Sequence, residues 1–309
     1  MKTKTLAYIL KRIGLALLTV WVIITITFFV MRAVPGGPFL REKALSDTAQ
    51  AALEAKYGLD KPVIVQYGTY LKDIITKFDF GPSLKHKGQT VTEIIGDGLK
   101  TSAAVGLTAA FTALIIGVTL GALAAIHRNK IIDRIIMVFS TMFVSLPSFI
   151  MGSLLLYLFS FHLKWLPAFG TSWKGYIMPI VTLALYPLSY ITRLTRSSML
   201  DVLGQDYIRT AKAKGVSGGK IIFGHALKNS LIPVITYFGP MLAYIVTGSL
   251  VIEKIFGIPG IGSKFVTSIT DRDYTLIMGT TIVLAMLIVI MNLIGDLMYK
   301  VVDPRISFD

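Results

Sequence analysis

The segment Gly215-Val216-Ser217-Gly218-Gly219-Lys220-Ile221 has the residue types of a phosphate-binding loop, in which backbone N–H groups cradle phosphate and a lysine reaches the far phosphoryl group. The spacing does not serve that chemistry. Three residues rather than four separate Gly215 from Gly219, and Ile221 stands where a Ser or Thr hydroxyl would hold magnesium. Zinc hydrolysis has no better support: no His-Glu-x-x-His helix occurs, and His86, His127, His162 and His225 fall in different segments. The absence of cysteine removes disulfides, thiolate metal sites and thiol nucleophiles. No nucleophile and base share an apolar run, which argues against an intramembrane protease. The expectation is a chain with no catalytic residue, no metal site and no cofactor.

The same region reads better as a shape. Arg193 to Ser230 is a 38-residue polar insert between apolar runs. It contains Tyr207-Ile208-Arg209-Thr210-Ala211-Lys212-Ala213-Lys214-Gly215, then His225, and it leads into Leu231-Ile232-Pro233. Tyr207 to Lys214 suits a short basic helix that Gly215 ends by taking the left-handed conformation. Ser217 is placed to cap a second helix, Gly218 through Lys228, leading back toward the next apolar run. Ala211 and Ala213 leave room for close approach by another protein. Basic residues beside a membrane explain the charge by themselves, whereas the alanine and glycine spacing points to a rigid docking knob.

The elements that must hold this knob follow from composition. With 54% apolar side chains, the chain is too apolar for a soluble fold of 309 residues and reads as a membrane protein. Six runs lack Asp, Glu, Lys and Arg: Ile13 to Met31, Thr101 to Ile126, Ile135 to Phe161, Tyr176 to Thr192, Leu231 to Ile252 and Thr275 to Gly295. At about 1.5 Å per residue even the first reaches ~28 Å, close to the hydrocarbon thickness. An all-α integral membrane fold with six transmembrane helices is expected.

The net charge of +14 would suit nucleic acid, but its distribution does not. Sixteen basic residues lie in the N-terminus, the second and fourth loops and the C-terminus, against five in the two short loops opposite. Both termini are therefore expected in the cytoplasm, with no nucleic-acid partner. The long loop Arg32 to Lys100 is then external; within it Ala44 to Gly58 suits a helix and Leu59 to Tyr67 an extended stretch at Pro62. Ile13 to Met31 is longer than a usual signal core, and Arg32-Ala33-Val34-Pro35-Gly36-Gly37-Pro38 offers no small-x-small cleavage pattern, so that run is expected to remain as a helix. Three regions result: 1–95, the first helix plus the external loop; 96–301, a five-helix domain; and 302–309, an irregular cytoplasmic tail.

No span carries an ionisable group at its centre, as an ion-driven carrier normally would, so the energy is expected to come from elsewhere. Pro147, Pro179, Pro187, Pro233 and Pro240 are placed to bend helices around a cavity, although proline is also tolerated in membranes for its own sake. Gly117-Val118-Thr119-Leu120-Gly121 permits close backbone approach, more often within one chain than between subunits.

Ala211, Gly215, His225 and Pro233 resemble the cytoplasmic signature loop of bacterial ABC importer permeases, a Glu-Ala-Ala-x-x-x-Gly loop that inserts into a cleft on an ATPase subunit. Arg209 and Thr210 replace its first Glu-Ala, which is similar to the peptide and nickel branch of that family and removes an acidic contact. Arg32 to Pro38, Tyr57-Gly58-Leu59-Asp60-Lys61-Pro62 with Gln66-Tyr67, Asp79-Phe80-Gly81-Pro82-Ser83, Val251 to Gly262, Arg272-Asp273-Tyr274 and Asp303-Pro304-Arg305 extend the resemblance over nearly the whole chain, to the first of the two permeases in oligopeptide and dipeptide uptake systems. Asp79 to Lys87 most resembles the oligopeptide type.

The resemblance implies a type I ABC importer permease fold in the bacterial cytoplasmic membrane. It also implies a second homologous permease subunit, two cytoplasmic ATPase subunits that hydrolyse the ATP, an external peptide-binding protein and a peptide substrate, with lipid around the spans. Tyr207, Arg209, Thr210, Ala211, Lys214, Gly215, His225 and Pro233 become the ATPase-docking set. Peptides share a backbone and vary in side chain, so their path should be lined by hydroxyls and aromatics, for which Ser145, Ser148, Tyr237 and Tyr244 are candidates. Ile258 to Gly262 is expected to form a tight external turn that re-enters or gates the path. A dipeptide, nickel or other small-solute permease of the same build is the alternative. From other classes come a stand-alone secondary carrier, which would need an ion site or inverted repeat, and a membrane anchor or sensor, which closely spaced spans do not suit.

Overall fold

The computed structural model describes residues 2–33, 55, 58–170 and 172–302. Among them the regular elements are helices, apart from one isolated antiparallel bridge between Pro82 and Thr90. Helix α1 is Lys2–Ala33, α2 Val63–Lys77, α3 Val91–Ile126, α4 Ile131–Ser145 and α5 Ser148–Leu155, continued by a π-helix Leu156–His162. A 3-10 turn, Trp173–Tyr176, leads into α6, Ile177–Leu203. Helix α7 is Asp206–Ala213, a π-helical stretch Lys220–Leu227 opens α8 at Lys228–Val246, and α9 Leu250–Ile255, α10 Ile261–Asp271 and α11 Tyr274–Val302 follow.

Among the described residues five helices are long and apolar enough to cross a membrane: Leu10–Ala33, Val91–Ile126, Trp173–Leu203, Lys220–Val246 and Tyr274–Leu293. The remaining expected span, Ile135 to Phe161, is instead a pair of helices bent by 107°, and it makes a sixth only if the bent pair counts as one span. The break is local chemistry. Pro147 disfavours helical backbone before it, and Leu146 sits at φ −90° and ψ 131°. The other prolines do not break their helices. Pro179 is in the first turn of α6, where no intrahelical donor is lost, and Pro187, Pro233 and Pro240 lie within helices that run on through them.

Two compact units divide the chain, Met1–Thr101 with Pro259–Ile290 and Ser102–Ile258 with Met291–Asp309. In the first, Ile24 of α1, Ile74 of α2, Ile94 and Ile95 of α3, Ile261 of α10 and Leu276 and Ile282 of α11 form one buried cluster with Phe80 and Val91. Gly279 of α11 is required there: a Cβ at that position would lie 2.4 Å from Val91 Cγ1. Phe28 packs on Tyr67 and Tyr70 of α2, with ring centroids 5.3 and 5.9 Å away, and Thr25 Oγ1 meets the Tyr67 hydroxyl at 2.7 Å. Burial pushes the Tyr70 phenol above the usual range.

The extended stretch expected at Leu59 to Tyr67 is corrected. Residues 58–60 are a turn and Val63 already belongs to α2. Pro62 starts the helix, its carbonyl accepting from the Val65 and Gln66 N–H groups at 2.9 and 3.1 Å. The Gln66 amide returns to the Leu59 and Lys61 carbonyls at 3.1 and 2.7 Å. The expected helix Ala44 to Gly58 falls almost wholly outside the described residues, as does the tail beyond Val302 with its Asp303-Pro304-Arg305 segment.

In the second unit α6 is the hub, packed by α4, α5 and α8. Lipid is as apolar as leucine, so helices in a membrane associate through close packing and hydrogen bonds more than through burial. Gly117 and Gly121 of α3 provide that packing. A Cβ at Gly117 would lie 2.8 Å from the Leu188 carbonyl oxygen, and one at Gly121 2.5 Å from that of Thr192. The glycine pair thus packs within the chain, against α6. Near α9, the Ser102 hydroxyl donates to Glu253 Oε1 at 2.6 Å, a carboxylate only 3% exposed.

Candidate functional site

The polar insert starts as the last three turns of α6. Leu200 and Asp201 close that helix by accepting from the Gly204 N–H, and α7 begins two residues on with Asp206 in its first turn, where a carboxylate suits the helix dipole. Helix α7 is amphipathic: Ile208 is fully buried, while Tyr207, Arg209, Thr210, Lys212 and Lys214 are exposed. Arg209 meets Asp206 at 3.3 Å, but both side chains are more than three-quarters exposed, and such pairs hold little.

The turn after α7 is built by Gly215. Its φ of +77° is left-handed, the Val216 N–H reaches back to the Ala211 carbonyl at 3.2 Å, and its own N–H reaches that of Lys212 at 3.0 Å. These two bonds are the Schellman pattern, which satisfies the last free carbonyls of the helix. Nothing lies within 4 Å of where a Cβ would be, so glycine is needed for its backbone conformation alone.

The second helix starts at Gly218, as expected, yet does not stop near Lys228. It continues as π-helix and then α8 into the Lys220–Val246 span. Ser217 contributes its carbonyl, accepting from the Ile221 N–H at 3.0 Å, and not a side-chain cap. Ala226 is buried against Ala122, Ala125 and Met199, with Leu203 and Ile222 around them. The two arms are tied by a side-chain bond from Asn229 Nδ2 to the Tyr207 hydroxyl at 3.0 Å. The result is a helical hairpin stapled at the base of a long apolar helix.

The structure thus brings Tyr207, Arg209, Thr210, Ala211, Lys214 and Gly215 together on α7 and its turn. His225 is half-buried on the π-helical arm, and Pro233 lies in α8, beyond the hairpin. Of the path candidates, Ser145 bonds its hydroxyl back to the Thr141 carbonyl at 2.9 Å, and Ser148 opens α5 at the bend, exposed. Tyr237 stacks on Tyr190 with centroids 4.3 Å apart, and Tyr244 is 79% exposed. The turn at Ile258 is set by a second left-handed glycine, Gly257, with the Ile258 N–H on the Glu253 carbonyl at 2.8 Å.

Sequence reasoning missed two features. Phe223, 68% exposed, adds an aromatic to the hairpin surface. Asp133 at the start of α4 holds Arg196 in a two-pronged ion pair at the root of the hairpin, at 2.6 and 2.7 Å. The available signal was Asp133 itself, a lone acid among Arg128, Lys130 and Arg134.

Comparison with known proteins gives this geometry its family. The family described as binding-protein-dependent transport system inner membrane component matches residues 117–308, and its N-terminal counterpart matches 5–108. The chain is 47% identical to the dipeptide transport system permease protein DppB of Bacillus subtilis, over 97% of each chain. It is 43% identical to the oligopeptide transport system permease protein OppB of Haemophilus influenzae, over 98% of this chain and all of the relative. Among solved structures, the MetNI methionine ABC transporter in inward-facing conformations superposes with a TM-score of 0.54 at 19% identity, over 69% of this chain and 97% of that one. An amino acid ABC transporter superposes with a TM-score of 0.53 at 15% identity, over 70% and 95%. The helices, the hairpin and these matches lead to one assignment: the chain is a multi-pass inner-membrane permease that belongs to the binding-protein-dependent transport family.

Proposed function

We propose that this permease forms half of an ATP-driven peptide importer and docks a cytoplasmic ATPase through the 193–230 hairpin. The observation that carries the reading is mechanical continuity. Gly215 fixes α7 against an arm that is one unbroken helix with the Lys220–Val246 span, so a push on the exposed residues of α7 is delivered to a membrane helix. In this reading ATP is hydrolysed by two partner ATPases, a second homologous permease completes the path, and an external binding protein delivers the peptide. Both termini are cytoplasmic, the sequence divides functionally into 1–95, 96–301 and 302–309, and docking uses Tyr207, Arg209, Thr210, Ala211, Lys214, Gly215, His225 and Pro233.

Oligopeptides are the substrate favoured by the Asp79 to Lys87 segment, whereas the DppB relative at 47% identity favours dipeptides. Uptake of radiolabelled alanine peptides of graded length by the assembled importer separates them: competition that grows from dipeptide to pentapeptide supports the oligopeptide reading, and competition by the dipeptide alone overturns it. For docking, purification in mild detergent is expected to bring down two ATPases, and the Gly215→Val chain is expected to lose them. Unchanged capture and uptake by that variant would refute the hairpin's role.

A further inference from the structure

Helices α6 and α8 share a face that the docking hairpin does not use. Tyr190 and Tyr237 stack there, their planes inclined by 29°. Tyr186 lies one turn from Tyr190 on the same side of α6, and Tyr244 two turns from Tyr237 along α8. Tyr186 and Tyr190 are 49% and 41% exposed. None of the four hydroxyls has a hydrogen-bond partner among the described residues.

Within the uncharged runs 176–192 and 231–252, Tyr186 and Tyr237 each lie about 9 Å inside the end that joins the polar insert, and Tyr190 lies about 3 Å inside it. Tyrosines that face lipid collect at the membrane interfaces, where the hydroxyl finds water. Tyr186 and Tyr237 therefore stand inside the hydrocarbon, where an unpartnered hydroxyl is costly. The face must therefore meet something polar. No Asp, Glu, Lys or Arg occurs in 176–192 or 231–252, so whatever is met there is not selected through an ion pair with these helices.

We infer that Tyr186, Tyr190 and Tyr237 form an uncharged recognition site for the main chain of a peptide in transit. This deepens the peptide reading proposed above and rests on it. A phenol both donates to a carbonyl and accepts from an N–H, the two groups every peptide repeats whatever its sequence. The ring faces cover apolar side chains of any shape, while the Tyr190–Tyr237 stack keeps the rings in place. The competing occupant is the second permease subunit. Helix interfaces in lipid rely on small residues for close approach, as Gly117 and Gly121 do here, whereas a run of exposed phenols is bulky and rich in hydrogen-bonding capacity.

The test uses the complete importer in vesicles, with the photoreactive residue p-benzoylphenylalanine at position 186 and radiolabelled tetra-alanine with ATP as the probe. Label attached to this chain, and competed away by unlabelled tetra-alanine, is the expected result. The Tyr186→Phe, Tyr190→Phe, Tyr237→Phe triple variant keeps the rings and is expected to assemble normally while slowing uptake about three- to tenfold, the range that ~0.7–1.4 kcal/mol corresponds to. Attachment to the second permease subunit alone, or unchanged uptake by the triple variant, overturns the site. If the wild-type importer hydrolyses ATP yet moves no alanine peptide of any length, the underlying peptide reading fails, and the site's proposed ligand with it.

Discussion

Asp133 and Arg196 are joined by two parallel hydrogen bonds, Nε to Oδ1 at 2.6 Å and Nη2 to Oδ2 at 2.7 Å. The carboxylate is only 3% exposed and also accepts the Asn129 N–H at 2.9 Å, where Asn129 is left-handed with φ 65°. One side chain thus holds the turn before α4 and ties it to α6 at Arg196. Planar guanidinium is suited to this role because its fork matches the carboxylate in both distance and direction.

Removing either partner leaves a charge in a largely buried place. Asp133→Ala and Arg196→Ala are each expected to destabilise the assembled permease by about 3 kcal/mol, seen as a lower unfolding midpoint in detergent. The double variant should lose little more than either single one, because the two residues share one interaction. Fully additive losses would show that the pair is not coupled.

Gly215 separates backbone strain from packing, since open space surrounds the position of its missing Cβ. Gly215→Ala is expected to cost about 1 kcal/mol and Gly215→Asn less, because asparagine tolerates the left-handed region. Gly215→Val should cost most. ATPase co-purification should fall in the order Gly, Asn, Ala, Val, and an order that follows side-chain volume instead would point to a steric contact.

These outcomes mark what could be read before the fold was known. Gly215 was legible because one residue type answers one backbone requirement. The apolar runs were legible because hydrocarbon thickness sets their length. Asp133 and Arg196 were not, because each reads as an ordinary loop charge until the bundle brings two residues 63 positions apart together. Pro147 announced a bend but not one of 107°. Pro62 suggested extension of Leu59 to Tyr67, yet its carbonyl and the Gln66 amide made Val63-Ile64-Val65 the first turn of α2. Nothing in the sequence pairs Tyr190 with Tyr237, because they stand on different helices and only the fold stacks them.

Two helix glycines should respond with opposite sign. At Gly121 a methyl group would enter the Thr192 carbonyl at 2.5 Å and the Thr195 Cβ at 2.6 Å, and overpacking of that kind costs roughly 1–3 kcal/mol. At Gly239, within α8, nothing lies within 4 Å, so alanine should gain ~0.5–1 kcal/mol from helix propensity. Unfolding midpoints of Gly121→Ala and Gly239→Ala are expected on opposite sides of the wild-type value. A destabilised Gly239→Ala chain would reveal a partner surface against α8.

At Asp273 two segments far apart in sequence close on one carboxylate. The Ser83 hydroxyl donates to its Oδ2, while Oδ1 accepts from the Leu84 and Leu276 N–H groups at 3.2 Å each. The Thr275 hydroxyl bonds the Pro82 carbonyl at 2.8 Å. Asp273 therefore caps α11 and clasps the loop 79–90 at the same time. Asp273→Ala strands a buried hydroxyl and two N–H groups, each worth about 1–3 kcal/mol when left unsatisfied, whereas Asp273→Asn keeps one acceptor oxygen and should lose less. Ser83→Ala removes one bond and leaves the helix cap intact. Amide hydrogen exchange in residues 83–90 is expected to speed up in the order Ser83→Ala, Asp273→Asn, Asp273→Ala. Equal protection in all three would mean that the loop is held by its other contacts and not by this carboxylate.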